Sequence, residues 1–342
     1  MRILLTGGAG FIGSHLLQRL LRERVAEQVV TLDSLTYAGN RSRIAFAQGD
    51  PSHRFVHGDL TDEALLEELF ATYDFDLVLH LAAETHVDRS LEDPRPFLRS
   101  NVLGVSALLE SARRAWQGAS PARRFLHVST DEVYGEVPAG RPPVAEGAPY
   151  APRNPYAASK AAGDHLVRAA MESHGFPAIL THATNNYGSG QHAEKFLPRL
   201  MRKAARGENL PVYGEGRERR CWLAVEDHCE ALLTIAQGGR VGSAYHIAGD
   251  DEWSNRELAS EVLRMMRALV PEAEGAELEF VENRPGHDAR YALDDSRLRK
   301  ELGWRPKVKF EDGLRRMARA VLRGRADWIR EDEKRRGGPP AK

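Results

Sequence analysis

Residues 3–13 read ILLTGGAGFIG, and this stretch decides the fold class. Its first three residues form a short apolar run typical of a buried strand, and leucines recur at helical spacing between residues 16 and 21. The glycines between the two segments allow a tight turn and close packing of the strand on the helix. This pattern is typical of the first unit of an open parallel sheet, although the glycine turn alone is also compatible with a plain strand–helix connection.

Similar units follow through the first half of the chain, where short apolar runs alternate with amphipathic segments. Continuous apolar runs indicate strands that are buried on both faces, so the sequence predicts an α/β fold with a doubly wound parallel sheet. The predicted strands are residues 29–32, 55–57, 77–81, 125–128, 179–181 and 243–248, and helices are predicted at 102–115, 156–173 and 222–236.

The alternation becomes irregular after about residue 185, which predicts a second domain. We expect residues 1–184 to form the larger domain and residues 185–325 a smaller C-terminal α/β domain that binds the substrate. Residues 221–250 are expected to cross back into the first domain. Residues 326–342 are charged and rich in Gly and Pro, and they are expected to form a frayed tail.

Composition excludes several classes of protein. The 342 residues include 48 Lys+Arg and 49 Asp+Glu, so no broad positive field is available to bind nucleic acid. No apolar run is long enough to span a bilayer, and the start of the chain lacks the pattern of a signal peptide. The chain has only two cysteines, too few for a framework of disulfides, which favours a reducing compartment. The spacing of the histidines and cysteines does not match that of zinc ligands. We therefore expect a cytoplasmic protein without a metal.

A carboxylate follows the glycine turn at the spacing that dinucleotide sites use. Asp33 lies 20 residues beyond Gly13, at the end of the second predicted strand. A carboxylate there accepts hydrogen bonds from the adenine ribose and repels a 2′-phosphate, so the pattern favours NAD over NADP. Asp59-Leu60 and Leu81-Ala82-Ala83 follow the next two strands, where a dinucleotide would lie. Tight helix–sheet packing is the alternative explanation for the two alanines.

Polar residues also follow the fifth predicted strand and open the long helix after it. Tyr156 and Lys160 lie four residues apart on one helix face, where an ammonium group lowers the pKa of a nearby phenol. The tyrosine can then act as a base. Asp131 and Glu132 are adjacent carboxylates, and their repulsion raises the pKa of one, which leaves an acid and a base in one pocket. The alternative is a helix cap at Thr130 with acids in its first turn.

These motifs together resemble the extended short-chain dehydrogenase/reductases and, within that superfamily, are similar to the dTDP-glucose 4,6-dehydratases. The resemblance covers roughly residues 1–325, and the adjacent Asp and Glu are its most specific part. The matching stretches are TGGAGFIGS at 6–14, DSLTYAGN at 33–40, HLAAETHVDRS at 80–90, STDEVYG at 129–135, NPYAASKA at 154–161, NNYG at 185–188 and NRPGHDARY at 283–291.

The resemblance implies a reaction and a role for each catalytic residue. Tyr156, supported by Lys160, would take the proton of the sugar 4-hydroxyl, which Thr130 helps to place. Glu132 would remove the C5 proton, and Asp131 would protonate the departing 6-hydroxyl. NAD would take a hydride from C4 and return it to C6, so it would stay tightly bound. The product would be a 4-keto-6-deoxy sugar nucleotide.

The resemblance also implies the binding residues and a homodimer built by the helices at 101–115 and from Tyr156. For NAD these are Gly7, Gly10, Phe11, Ile12, Gly13, Asp33, Ser34, Leu35, Thr36, Asp59, Leu60, Leu81, Ala82, Ala83, Ser100, Tyr156, Lys160 and Asn186. For the nucleoside-diphosphate sugar they are Thr85, Thr130, Asn185, Lys195, Phe196, Pro211, Tyr213, Arg220, Asn255, Arg284 and His287.

Other readings remain open at this point. Residues 191–193 and Cys221 depart from the usual motifs in the half that would hold the nucleotide. Thymine and uracil differ by one methyl group, worth about 1–3 kcal/mol of discrimination, so UDP-glucose is an alternative substrate. A sugar-nucleotide 4-epimerase or a decarboxylase of the same fold is a second alternative. A non-catalytic NAD-binding regulator is a third, although it would not need all four catalytic groups.

Overall fold

The computed structural model describes residues 1–118, 122–283 and 286–324. The predicted tail at 326–342 and the predicted site residue Arg284 lie outside these ranges. The strands are β1 (Arg2–Thr6), β2 (Gln28–Asp33), β3 (His53–His57), β4 (Leu77–His80), β5 (Arg124–Thr130), β6 (Ala178–Ala183), β7 (Asn185–Tyr187), β8 (Leu210–Tyr213), β9 (Arg219–Ala224), β10 (Ala244–Ile247), β11 (Asp251–Ser254) and β12 (Leu278–Val281).

Helices connect these strands in nearly regular alternation through the first half. They are α1 (Phe11–Arg22), α2 (Glu63–Tyr73), α3 (Val87–Glu92), α4 (Arg95–Leu98), α5 (Val105–Ala115), α6 (Pro155–His174), α7 (Phe196–Ala204), α8 (Val225–Gly238), α9 (Asn255–Leu269), α10 (Ser296–Leu302) and α11 (Phe310–Arg323). A π-helical turn joins α4 to α5, and 3₁₀ turns occur at Arg41–Ala47, Asp131–Tyr134 and Pro271–Ala273.

In the described ranges, seven strands form one parallel sheet in the order β10-β6-β5-β4-β1-β2-β3. Helices α1 and α8 cover one face, where Leu16 and Leu20 pack with Leu5 in one buried cluster. Helices α2, α5 and α6 cover the other face, with a separate cluster around Phe125 and Leu108. Fully burying an aliphatic side chain of this size stabilises the fold by about 1.5–3 kcal/mol. The predicted fold class is therefore confirmed.

Later parts of the chain form a smaller layer above the carboxyl ends of these strands. It contains the three-stranded sheet β11-β9-β7 and the pair β12-β8, and helices α7, α9 and α11 share a further apolar core with them. Strand β10 nevertheless belongs to the large sheet, and α8 packs against α1. The division into domains at residues 184 and 325 stays a prediction. Within the described ranges, no helix combines the length and apolar character needed to cross a membrane.

The helix predicted at residues 222–236 is partly wrong at its start. Trp222, Leu223 and Ala224 belong to β9, which pairs with β7 and β11, and the helix begins only at Val225. A three-residue apolar run fits either secondary structure, and strand pairing decides between them. The helix predicted at 102–115 likewise begins as the π-helical turn Arg99–Gly104 before α5.

Candidate active site

A cleft of about 400 Å³ runs along the carboxyl ends of the large sheet. Its walls come from the segments that follow five parallel strands and from the residues around β7, because parallel strands deliver their following loops to one edge. The glycine turn after β1 forms one end, and the Thr130–Glu132 segment after β5 forms another part of the wall. The cleft therefore brings together segments far apart in the sequence.

The glycine turn is built so that no side chain fills its hollow. Gly7 has φ +72°, a conformation that favours glycine. A Cβ on Gly13 would lie 2.1 Å from the Gly7 oxygen, whereas a Cβ on Gly10 would meet nothing closer than 3.1 Å. Helix α1 starts directly after Gly10, with its free N–H groups and the positive end of its dipole at the cleft. The turn thus has the shape and charge that a pyrophosphate requires.

Asp33 lies at the end of β2 and is 8% exposed. Its carboxylate accepts hydrogen bonds from the backbone N–H groups of Ala9 and Leu35, both at 2.8 Å, and these bonds fix it beside the glycine turn. The carboxylate oxygens have further lone pairs for ribose hydroxyls. The Arg43 guanidinium also lines the cleft, but it donates to the carbonyl oxygens of Ala38 and Ala9 at 2.5 and 3.3 Å.

The segment after β4 approaches the glycine turn closely. A Cβ on Gly7 would lie 2.7 Å from the Ala82 nitrogen, so these two backbones leave no room for a side chain between them. Ala82 also packs against the cluster around Phe125, while both Ala82 and Ala83 line the cleft. Tight packing and a position in the cleft wall are therefore compatible explanations for these alanines.

The segment after β5 carries the two acidic residues. Thr130 caps the 3₁₀ turn that follows, because its hydroxyl accepts from the Glu132 N–H at 3.3 Å, and it donates to Asp131 Oδ1 at 3.1 Å. Asp131 Oδ2 is buried and has no hydrogen-bond partner. Asn154, the N-cap of α6, donates to Glu132 Oε2 at 3.1 Å. The cap interpretation and the acid–base interpretation are thus compatible.

The two carboxyl groups lie in different surroundings, although they are adjacent in sequence. Burial and, next, the negative charge of Glu132 raise the pKa of Asp131 to about 7. Asp131 is 4% exposed, whereas Glu132 is half-buried and hydrogen-bonded. Asp131 can therefore carry a proton near neutral pH, and the roles of the two carboxyl groups as acid and base stay predictions.

Tyr156 and Lys160 lie on the first turns of α6 and both line the cleft. The Lys160 ammonium donates to the Val128 carbonyl at 2.8 Å, and burial lowers its pKa to about 8. Burial and the Glu132 charge raise the pKa of Tyr156 well above its usual value, while a hydrogen bond with Thr130 lowers it. The sequence predicted a lowering of the Tyr156 pKa by Lys160, whereas in the chain alone burial and nearby carboxylates raise this pKa.

Most of the predicted residues meet in this one cleft. From the cofactor prediction it is lined by Gly7, Gly10, Phe11, Ile12, Gly13, Asp33, Ser34, Thr36, Asp59, Leu60, Leu81, Ala82, Ala83, Ser100 and Asn186. From the catalytic and substrate predictions it is lined by Thr85, Thr130, Asp131, Glu132, Tyr156, Lys160, Asn185 and Lys195. Their individual roles stay predictions.

Other predicted residues lie outside the cleft wall. Leu35 packs against the core cluster of α1 and α8, and Phe196 packs in the smaller layer. Five more predicted substrate residues lie around β8 and β9. There the Glu218 carboxylate accepts a hydrogen bond from the Asn255 side chain at 3.2 Å and lies 3.5 Å from His287 Nδ1. These five are Pro211, Tyr213, Arg220, Asn255 and His287. Arg220 connects the group to the cleft, because its positive charge acts on the pKa of Asp131.

Several cleft residues had not been predicted. His228, from the first turn of α8, is fully buried, and its Nδ1 lies 2.8 Å from Asn186 Oδ1. The Arg89 guanidinium stacks over the Tyr37 ring at 3.9 Å, and Tyr37 lines the cleft. No local motif marks His228, because its place in the site depends on tertiary packing, whereas Tyr37 lies within the quoted stretch at residues 33–40. Other unpredicted side chains in the cleft wall include Arg43, Glu84, Arg99, Gln191 and His192.

Cys221 departs from the usual motif at its position, and the structure places an acidic residue nearby. Its cross-strand partner in β11 is Glu252. Glu252 accepts hydrogen bonds from Arg290 at 2.9 Å and from Arg219 at 2.8 Å. Burial, followed by the Glu252 charge, raises the pKa of the Cys221 thiol to about 12, which disfavours its thiolate form. A carboxylate is therefore present one strand away.

The parallel sheet, the glycine turn and the Tyr156–Lys160 pair define an extended short-chain dehydrogenase/reductase. Residues 4–317 match the family model described as GDP-mannose 4,6 dehydratase. The chain belongs to this family. Among the described residues, no group of three or more His, Cys, Asp or Glu side chains is arranged to hold a metal ion.

Relatives of known activity resemble the chain over nearly its whole length. A dTDP-glucose 4,6-dehydratase of Xanthomonas campestris pv. campestris (strain B100) is 46% identical over 91% of this chain and 90% of its own. That of Haemophilus influenzae is 42% identical, covering 94% and 98%. The crystal structure of the Streptomyces venezuelae dTDP-glucose 4,6-dehydratase DesIV, which contains NAD, has a TM-score of 0.88 at 43% identity and covers 96% and 99%.

Proposed function

We propose that this protein is an NAD-dependent dehydratase that converts dTDP-glucose into dTDP-4-keto-6-deoxyglucose and water. The observation that carries the proposal is the adjacent pair Asp131 and Glu132 in the same cleft as Tyr156 and Lys160. Tyr156 and Lys160 alone suffice for alcohol oxidation. Loss of water needs an additional base for C5–H and an additional acid for the leaving 6-hydroxyl.

The described residues fit NAD. The hollow of the glycine turn, the exposed start of α1 and the fixed Asp33 carboxylate suit a pyrophosphate and an adenine ribose without a 2′-phosphate. When bound, NAD supplies the acceptor for a hydride from C4 of the sugar and the donor that returns it to C6. The cofactor ends as it began, so tight retention of NAD is expected.

Chain residues move the protons in this scheme. Tyr156 removes the proton of the 4-hydroxyl, a step that requires the positive charges of Lys160 and of bound NAD to lower the Tyr156 pKa from its raised value in the chain alone. The 4-keto group that forms acidifies the C5–H bond. Glu132 then takes the C5 proton, while Asp131 gives its proton to the 6-hydroxyl so that water leaves. The raised pKa of Asp131 supplies the proton at neutral pH. Thr130, bonded to Asp131 and interacting with Tyr156, is placed to orient the 4-hydroxyl.

We place the nucleoside diphosphate between the cleft and the smaller layer. Lys195 and Asn185 line the cleft, and Arg220, Asn255 and His287 lie around β9 beside it. Guanidinium and ammonium groups form charge-assisted hydrogen bonds to phosphate, and a few of them are enough for an anionic substrate in a chain with a net charge of −1. Arg284 stays a sequence prediction.

A comparison of substrates tests the function. Incubation with dTDP-glucose is expected to give a 4-keto product without added NAD, detected by its absorbance after alkali treatment. UDP-glucose is expected to react more weakly, since one missing methyl group costs about 1–3 kcal/mol. GDP- and CDP-glucose serve as controls. Interconversion of sugar epimers without a 4-keto product would favour the epimerase alternative, and loss of CO₂ from a uronate would favour the decarboxylase.

The pH dependence of turnover tests the role of Asp131. The residue must be protonated to act as an acid, and its pKa is raised to about 7. The protonated fraction therefore falls as the pH rises, and kcat/KM for dTDP-glucose is expected to fall roughly fivefold between pH 7 and 8 from this ionisation alone. A constant kcat/KM from pH 7 to 9 would contradict the assignment.

We also propose a homodimer in the cytoplasm. The exposed leucines Leu98 and Leu103, which are 50% and 61% exposed, lie at the π-helical turn before α5 and support a partner surface beside α5 and α6. The free thiols Cys221 and Cys229 suit a reducing compartment. Light scattering at assay concentrations would report twice the mass of the chain if the dimer forms.

A further inference from the structure

A buried carboxylate lies behind the catalytic pair. Asp164 follows Lys160 by one turn on α6, and its side chain is fully buried. Groups from three other segments surround it. Oδ2 lies 2.9 Å from Ser129 Oγ, 3.0 Å from the Tyr150 hydroxyl and 3.0 Å from His182 Nε2, and Oδ1 lies 3.1 Å from His127 Nε2.

The carboxylate holds β5 on both sides of the Lys160 anchor. Lys160 donates to the carbonyl of Val128, and the two contacts of Asp164 on this strand are His127 and Ser129, the neighbours of that residue. Ser129 directly precedes the catalytic Thr130. The same side chain therefore fixes the helix that carries Lys160 to the strand that leads into the acidic pair.

The charges around this position identify the partner of Lys160. Burial, then the Lys160 charge, lowers the pKa of His127 to about 4, so this imidazole is neutral. The Arg168 guanidinium, on α6 itself, points to the Tyr150 hydroxyl at 3.3 Å. Further titratable groups near the pair are His80 from β4, His182 from β6, His246 from β10, and Tyr134 and Tyr150 before α6. Asp164 is the carboxylate whose charge acts on Lys160.

We propose that Asp164 is a positioning residue whose buried negative charge keeps Lys160 in its ammonium form on the helix face of Tyr156. The inference deepens the proposed dehydratase and rests on it for its catalytic consequence. An isolated ammonium in an apolar interior loses its proton at lower pH, because burial penalises the charged form. A fixed carboxylate one turn away opposes this loss, and its contacts to β5 keep the ammonium at the Val128 carbonyl.

The pH dependence of folding stability tests the charge directly and needs no turnover. The folded-state pKa of Lys160, about 8, lies below its unfolded value of 10.5. Between these two pH values the unfolded chain binds more protons than the folded chain. The free energy of unfolding therefore increases through Lys160 as the pH rises. In Asp164→Asn the gain is expected to begin about 1 pH unit lower or more, as loss of a nearby opposite charge implies.

Two matched variants separate charge from shape. Asp164→Glu keeps the charge, and Tyr150→Phe removes one hydrogen bond to the same carboxylate. Both are expected to retain the pH dependence of the parent protein while losing some stability at every pH. Urea unfolding from pH 7 to 10 measures all four proteins. An unchanged curve in Asp164→Asn, or a shifted curve in either control, would overturn the proposal. If Asp164→Asn does not fold, Asp164→Ser, a smaller uncharged replacement, takes its place in the same comparison.

A kinetic measurement connects the charge to the reaction. Reduced-cofactor absorbance after mixing with dTDP-glucose reports the C4 step, in which Asp131 has no part. Its rate in Asp164→Asn is expected to decline at a pH lower by about 1 unit or more than in the parent. A parent protein that forms no 4-keto product would contradict the dehydratase assignment, whereas the unfolding curves would still decide the role of Asp164.

Discussion

The Glu132→Gln variant is expected to oxidise the sugar at C4 and then stop. Glutamine keeps the size of the side chain and its contact with Asn154, but it cannot take the C5 proton. A positioned base contributes about 10²–10⁴-fold to a rate, so formation of the 4-keto-6-deoxy product should fall by this factor. Tyr156 and Lys160 are untouched, so the first step continues and reduced cofactor accumulates during the assay.

Stopped-flow absorbance and product quantification on the same samples measure both effects. Glu136→Gln is the matched control, because Glu136 lies four residues further on, is exposed, and pairs with Arg153 outside the cleft. It is expected to turn over like the parent. Full turnover by Glu132→Gln would show that Glu132 is not the C5 base, and failure to oxidise C4 would show that it also serves the first step.

Gly13→Ala is expected to lose its bound NAD. The added Cβ would lie 2.1 Å from the Gly7 oxygen and 2.7 Å from the Gly8 Cα, and backbone atoms at those distances must move. Overpacking of this kind costs about 1–3 kcal/mol of stability, and here it displaces the turn proposed to hold the pyrophosphate. NAD released by denaturation, counted per protein chain, should fall from near one to near zero, with a lower unfolding midpoint.

Gly275→Ala provides the control for this prediction. An added Cβ at Gly275 meets nothing within 4 Å, and the residue does not have a positive φ. NAD content and unfolding midpoint should therefore match those of the parent. Retention of NAD by Gly13→Ala would show that the turn can relax and that the pyrophosphate does not depend on its present shape.

Much of the fold and of the candidate site can be predicted from local sequence patterns. The glycine turn, the buried strands and the Tyr156–Lys160 spacing are patterns within a few residues, and the parallel arrangement brings their ends to one edge. The start of α8 was harder to predict, because an apolar run such as residues 222–224 becomes a strand only through its partners. The identity of the cofactor follows from Asp33, which lies on the next strand of the same unit.

Local sequence patterns do not predict pKa shifts or contacts between residues far apart in the chain. The expected lowering of the Tyr156 pKa by Lys160 did not account for burial and for Glu132, which act in the opposite direction. Leu35 was grouped with its cleft neighbours, yet its side chain packs into the core. The contacts of His228 and Asp164 depend on how helices α8 and α6 pack against the large sheet. Only the folded arrangement therefore shows these contacts.

Strand β10 carries a consequence for synthesis of the protein. It covers the open edge of β6, but residues 244–247 leave the ribosome more than sixty residues after that strand. Until then the nascent sheet presents unpaired N–H and C=O groups and unsealed apolar faces, a state prone to pairing with other chains. Strand β10 is therefore the last strand added to the large sheet. A chain truncated near residue 184 would leave β6 as an unpaired edge strand that is prone to pair with other chains.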